Sequence, residues 1–273
     1  MTEPWQSLSM RRGKRQIDGP YEGVPLHLEH ALGEWLRERF GWTSRDGMND
    51  HLMSAVAVAC RIHVTATYAI GGISDQIFAA MSGNDDLFLD VLDAALHLGA
   101  GNASALRNIL RVGGSAWTVR ADGRGLERRV PEATAQAFAV TTAPSDSVSE
   151  ELREAWGAAF GRNPDPSDAW DHAIKAVEDL LIPIVVPKVA KANLGTVAGE
   201  LKANPDRWEF GLPGNAGRGN GETLEGLIRH IWPNPDRHGG AAKREPGPDE
   251  ADAVVQIAVL VVGLCRGRLV KKP

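Results

Sequence analysis

Cysteine is scarce in this chain: its 273 residues include two, Cys60 and Cys265, far apart and without metal-ligand spacing. That argues against a disulfide-stapled secreted scaffold and against a zinc site. Long apolar runs are also missing. The longest stretches are 180–186, interrupted by Pro183, and 253–265, which contains Gln256. Both are too short to span a bilayer and read as buried helix faces. Nor is there a large excess of one charge. A net charge of −5 gives no overall electrostatic footprint for nucleic acid, so any phosphate contact has to come from a local cluster. The basic residues Arg11, Arg12, Lys14 and Arg15 are followed by no apolar run of signal-peptide length. The expected location is therefore the cytoplasm, with no membrane partner.

What is present is ordinary globular composition, 43% apolar and 24% charged, at a length suited to two domains. Residues 1–24 read as an extended arm. Helical spacing of Leu28, Leu32, Trp35 and Leu36 predicts a helix over 25–40. Further helices are expected over 48–63, over 74–81 with Ser74 as its cap, from Asn84 onward, and over 103–112, stopped by Gly113-Gly114. Short extended runs flanking Asp122-Gly123 then give a hairpin signal, the one convincing strand pair.

A helix resumes after Pro131, and the Thr/Ser/Pro/Asp stretch 141–147 reads as a linker between domains. Beyond it, helices are expected over 149–160, 167–183, 194–203, 222–232 and 249–266, without internal repeats. The expected fold is mainly α. An N-terminal helical domain over 1–145, with one short β-hairpin near 116–130, precedes a helical bundle over 146–273.

The tract 229–239 places two Arg–His dipeptides in eleven residues, Arg229-His230 and Arg237-His238, the second followed by Gly239. Arginine is a permanently charged fork suited to phosphate, and histidine titrates near neutral pH. Cleaving RNA by turning the ribose 2′-OH on the adjacent phosphate needs a base and a cation for the developing charge, and no metal. His238 is the candidate acid/base, with Arg237 and Arg229 as phosphate ligands, and Gly239 would allow close backbone approach. Equally, Pro233, Asn234, Pro235, Asp236 and Gly239 are what an exposed interhelical loop uses.

The second half resembles the C-terminal domain of bacterial abortive-infection proteins, one of the HEPN group of helical domains. The carrying residues are Leu-Arg-Glu-Ala-Trp-Gly-Ala-Ala-Phe-Gly-Arg-Asn-Pro-Asp-Pro-Ser at 152–167 and Ala-Ile-Lys-Ala-Val-Glu at 173–178. Ile-Pro-Ile-Val-Val-Pro at 182–187, Asn-Leu-Gly-Thr-Val at 193–197 and Asp-Arg-His-Gly at 236–239 complete the likeness, which covers about 148–270. It implies paired bundles, hence a homodimer, in which an Arg-x(4–6)-His motif at the dimer cleft cleaves RNA without a metal or other cofactor. It also implies phage defence, with a protein trigger or cognate antitoxin as a further partner. The spacing departs from that motif. An arginine is expected at 231–233, where Ile231, Trp232 and Pro233 stand, and Arg229 has eight residues between it and His238.

Lys175 and Glu178 stand three apart on one helix, so they can pair on one face or, with Gly239, contribute to substrate binding; a partly buried Glu178 would orient His238. Arg120, Arg124, Arg128 and Arg129 form a basic cluster on the hairpin, suited to RNA phosphates or to a solvated face. Trp156, Trp170 and Trp232 fall at core spacing. Two functions follow as expectations: a metal-independent endoribonuclease effector, or a non-catalytic HEPN-like module that dimerises or binds a host or phage protein.

Overall fold

A computed structural model describes residues 8–14, 19–41, 49–65, 72–99, 102–210, 219–236 and 244–271. The chain divides into two compact units, Met1–Arg129 and Val130–Pro273. Both are mainly helical, as the periodicity predicts, and among the described residues no helix is long and apolar enough to cross a membrane.

In the first unit a short helix, α1 (Leu8–Arg11), precedes α2 (Leu26–Arg39), α3 (Asp50–Ala59), α4 (Gly72–Met81), α5 (Asp85–Leu98) and α6 (Ala103–Val112). One device starts three of them. The side chains of Asn49, Asn84 and Asn102 accept from the backbone N–H groups of Leu52, Leu87 and Ala105 at 3.0–3.1 Å, satisfying donors that a first helical turn leaves open. Ser74, expected as a cap, instead lies buried inside α4. At the other end of α6, a Cβ on Gly113 would come within 2.1 Å of the Leu28 side chain, so only glycine lets α6 end so close to α2.

The hairpin pairs β1 (Trp117–Val119) with β2 (Leu126–Arg128) in antiparallel register, Thr118 opposite Glu127. Residues of the expected N-terminal arm dock beside it. Tyr21 forms a parallel bridge with Ser115, and the Trp117 indole donates to the Glu22 carbonyl at 2.8 Å. Leu32, Leu36, Phe40, Met53, Ile77, Leu89, Leu92, Leu106 and Leu110 fill this unit's core.

The second unit consists of α7 (Glu132–Thr141), α8 (Ser147–Phe160), α9 (Pro166–Val185), α10 (Leu194–Ala203), a 3₁₀ turn at Pro205–Arg207, β3 (Trp208–Glu209), α11 (Asn220–Ile231), α12 (Pro248–Cys265) and β4 (Val270–Lys271). The long α9 lies along α8, α10 and α12 around a core that includes Leu152, Trp156, Val177, Leu181, Leu201, Ile228 and Val255. Pro183 does not end α9, which continues to Val185; so near a C-terminus, proline forfeits little of the helical ladder.

Two expectations change here. The units part at Arg129/Val130 rather than in 141–147, because α7 packs on the second bundle: Phe138 stacks on Trp156 with ring centroids 4.1 Å apart and planes at 18°. The stretch after α7 is tied down as well. Arg266 donates to the Thr141 carbonyl at 2.6 Å and to Asp146 at 3.0 Å, and Arg153 to the Thr142 carbonyl at 2.7 Å. Asp146 caps α8, accepting from the Ser149 N–H at 2.9 Å. The hairpin also has a companion: β3 and β4 pair antiparallel, and the Lys271 ammonium sits 5.6 Å from the Trp208 ring centroid.

Candidate functional site

Three of the predicted site residues, Arg237, His238 and Gly239, lie outside the described residues. The chain leading up to them is described, and it is held firmly. Asn234 is fully buried at 0% exposure. Its amide donates to Asp171 Oδ1 at 2.7 Å and to the Ser167 carbonyl at 3.3 Å, while its own oxygen accepts from the Asp236 N–H at 3.0 Å. Asp236 closes the ring by accepting from the Ser167 hydroxyl at 2.9 Å. One residue before Trp232, the Ile231 carbonyl accepts from the buried Trp170 indole at 2.5 Å.

These bonds join residues 231–236 to the first turns of α9. They follow from ordinary local chemistry. Asp165 caps α9 by accepting from the Asp168 N–H at 3.0 Å, Pro166 occupies the first helical turn, and Ser167, Trp170 and Asp171 then fall on one side of the helix. Asn234 and Asp236 form an Asx turn, in which an asparagine oxygen substitutes for a backbone acceptor two residues back. Trp232 sets the other limit, because a Cβ on Gly195 would lie 2.8 Å from its indole nitrogen. A buried amide using both its ends is worth far more than an exposed one, since breaking it strands polar groups in low dielectric.

The far side of 237–243 is anchored too. Arg244 grips both carboxylate oxygens of Glu250 at 2.5 and 2.6 Å, and Glu250 also accepts from the Gly247 N–H at 2.9 Å at the start of α12. The Arg244 bonds first, then the Gly247 bond, pull the Glu250 carboxyl from its usual value near 4.5 to about 2.

The remaining predicted residues have local partners. Arg229, in the last turn of α11, donates to Glu225 Oε1 one turn back at 2.7 Å; its side chain is 52% exposed and that of Glu225 16%. Glu178 accepts from the Leu194 N–H at 2.6 Å, tying α9 to the first residue of α10, where an Asn193–Thr196 capping box completes the start. Lys175 is exposed on α9. His172 bonds Glu151 of α8 at 2.6 Å and lies 3.6 Å from Asp168. The structure thus brings Ser167, Trp170, Asp171, Asn234 and Asp236 together.

Nothing local in the sequence singles out Ser167 and Asp171, and Asn234 and Asp236 read there as loop formers. The Asn-Pro-Asp triplet signals the local turn, but the Asp171 partner is sixty-three positions away and carries no local mark. No protein-family model, curated protein or solved structure matches this chain.

Proposed function

We propose that the second unit is a HEPN-like bundle serving as an RNA-cleaving effector of abortive infection, active as a homodimer and without metal. The observation that carries this reading is the buried Asn234 clamp, which fixes the chain immediately ahead of Arg237-His238. Such a clamp stabilises any loop, and a site has the added need to hold its groups in place. In the proposed mechanism His238 takes the 2′-OH proton as the 2′-oxygen bonds to phosphorus and the P–O5′ bond breaks, the proton passes on to the departing 5′-oxygen, and Arg237 binds the phosphate as negative charge develops. Arg229 adds a second cation when its exposed pairing with Glu225, worth well under 1 kcal/mol, gives way to phosphate. Lys175 and Glu178 remain at the periphery of this reading. The test is degradation of labelled single-stranded RNA by the purified full chain in excess chelator. Wild type is expected to cleave and His238→Ala to leave the RNA intact with its melting temperature unchanged; intact RNA with the wild type removes the enzymatic reading.

A second reading, a non-catalytic module binding a host or phage protein, is favoured by the occupied state of two predicted residues. Arg229 pairs with Glu225, and Glu178 accepts from the Leu194 N–H at the start of α10. A stoichiometric protein partner captured equally by wild type and His238→Ala would support it.

A further inference from the structure

The hairpin arginines do not form the patch that their order in the chain suggests. Arg120 is paired with Asp122 at 3.0 Å and Arg128 with Glu22, so two of the four cations are neutralised locally. Arg129 is different: its guanidinium donates to the Trp117 carbonyl at 3.2 Å. Two arginines of α6 join it there. Arg107 donates to the Val119 carbonyl at 3.4 Å and to the Arg120 carbonyl at 3.0 Å, and Arg111, one turn further on the same face, donates to Asn108 Oδ1 at 2.8 Å. Every acceptor these three engage is neutral, and among the described residues no carboxylate pairs with them.

Trp117 and Val119 alternate with the β1 residues that face β2, so their carbonyls line the strand's other edge, beside α6. Arg107 and Arg129 therefore reach the same seam from opposite sides. Burial first, and then the neighbouring Arg111 charge, lowers the Arg129 guanidinium from its ordinary value, which places the two cations within electrostatic reach of each other. Arginine shifted in this way stays charged. Like charges gathered without a counter-charge are destabilising, and a chain of net charge −5 has carboxylates to spare.

We propose that Arg107, Arg111 and Arg129 form a binding site for the phosphate backbone of single-stranded RNA along the α6–β1 seam of the first unit. The choice of RNA rests on the proposed activity of the second unit; the unneutralised arginine trio does not. Planar guanidinium forks suit phosphate oxygens, and phosphate contacts of this kind hold a strand without reading its sequence.

The experiment measures binding of a fluorescent single-stranded RNA by anisotropy over a salt series, using the full chain with His238→Ala so that the RNA survives. Arg111→Gln/Arg129→Gln should weaken binding about tenfold and flatten the dependence of log affinity on log salt by about 1.4, roughly 0.7 per lost phosphate contact. Arg120→Gln/Arg128→Gln removes the same charge from cations already paired and should change affinity less than about twofold. Arg111→Gln alone, on an exposed helix face, covers the case in which the double variant melts early, and should lose about half the slope change. Equal losses in the two double variants, or no RNA binding at all, overturn the site, as does equally tight binding of an acidic polypeptide. RNA that is bound through the trio but not cut by the wild type would sink only the nuclease reading. RNA that is cut while the trio proves irrelevant would sink only this one.

Discussion

Two connections between helices in the second unit, Thr-Ala-Pro-Ser-Asp at 142–146 and Trp-Pro-Asn-Pro-Asp at 232–236, share proline and a closing aspartate, yet they are held by different physics. The first is tied by guanidiniums: Arg266 and Arg153 reach the Thr141 and Thr142 carbonyls, and Arg266 also pairs with Asp146. The second is tied by a buried neutral amide, Asn234, between Asp171 and the Asp236 N–H. Charges at a surface tolerate loss, because water replaces the missing partner; a buried amide does not. Composition marks both stretches as loops and says nothing about how each is held. The one held by a buried amide leads to Arg237-His238.

The difference between the two connections should be largest at Asn234. Asn234→Ala removes a fully buried amide bonded to Asp171, the Ser167 carbonyl and the Asp236 N–H, and is expected to cost about 3 kcal/mol, read as a shift in the urea midpoint at constant slope. A cost below about 1 kcal/mol would mean that water enters the site and that the two connections are alike. Arg266→Ala should cost less, about 1–2 kcal/mol, since its side chain is 22% exposed and its ion pair with Asp146 is screened. Raising the salt concentration should narrow the Arg266 effect and leave the Asn234 effect unchanged.

A smaller effect is expected at the far anchor, Glu250. Its folded-state value lies below the unfolded one, so its contribution is present above about pH 4.5 and is lost as pH falls towards about 2. Glu250→Gln should remove that acid-limb dependence; because the pair is exposed, the change in stability at neutral pH should be slight. Smallest of all is a kinetic signature at Cys265, whose thiol burial pushes up to about 12. Maleimide labelling at neutral pH should be slow in wild type and modestly faster in Arg266→Ala, as the end of α12 loosens. Equal rates would place the opening of α12 elsewhere.

Much of the fold can be read directly from the chain where signals are local. The bounds of α6 and α10 follow from Asn102 and Gly113, and from Asn193, because caps and stops act within a few residues. The β3–β4 pair could not be read, since each strand has two residues and their partners are more than sixty positions apart. The unit boundary at Arg129/Val130 is hidden from the sequence for the same reason: α7 belongs to the second unit through the stacking of Phe138 on Trp156, a tertiary contact. At the candidate site, the Arg–His tract stood out by residue type. The Asn234–Asp171 bond that gives its approach a fixed position depends on how α9 and α11 meet, which no spacing along the chain announces.

The proposed role of the Asn234 clamp is to hold a segment that cleaves RNA. Its most direct measurement is the rate of single-stranded RNA cleavage in chelator by wild type, His238→Ala and Asn234→Ala, at a temperature where circular dichroism finds all three folded. Cleavage is expected from wild type, none from His238→Ala, and at least a tenfold lower rate from Asn234→Ala, the scale of about 1.4 kcal/mol in the barrier. Cleavage by Asn234→Ala at the wild-type rate, or no cleavage by any of the three, would contradict that role.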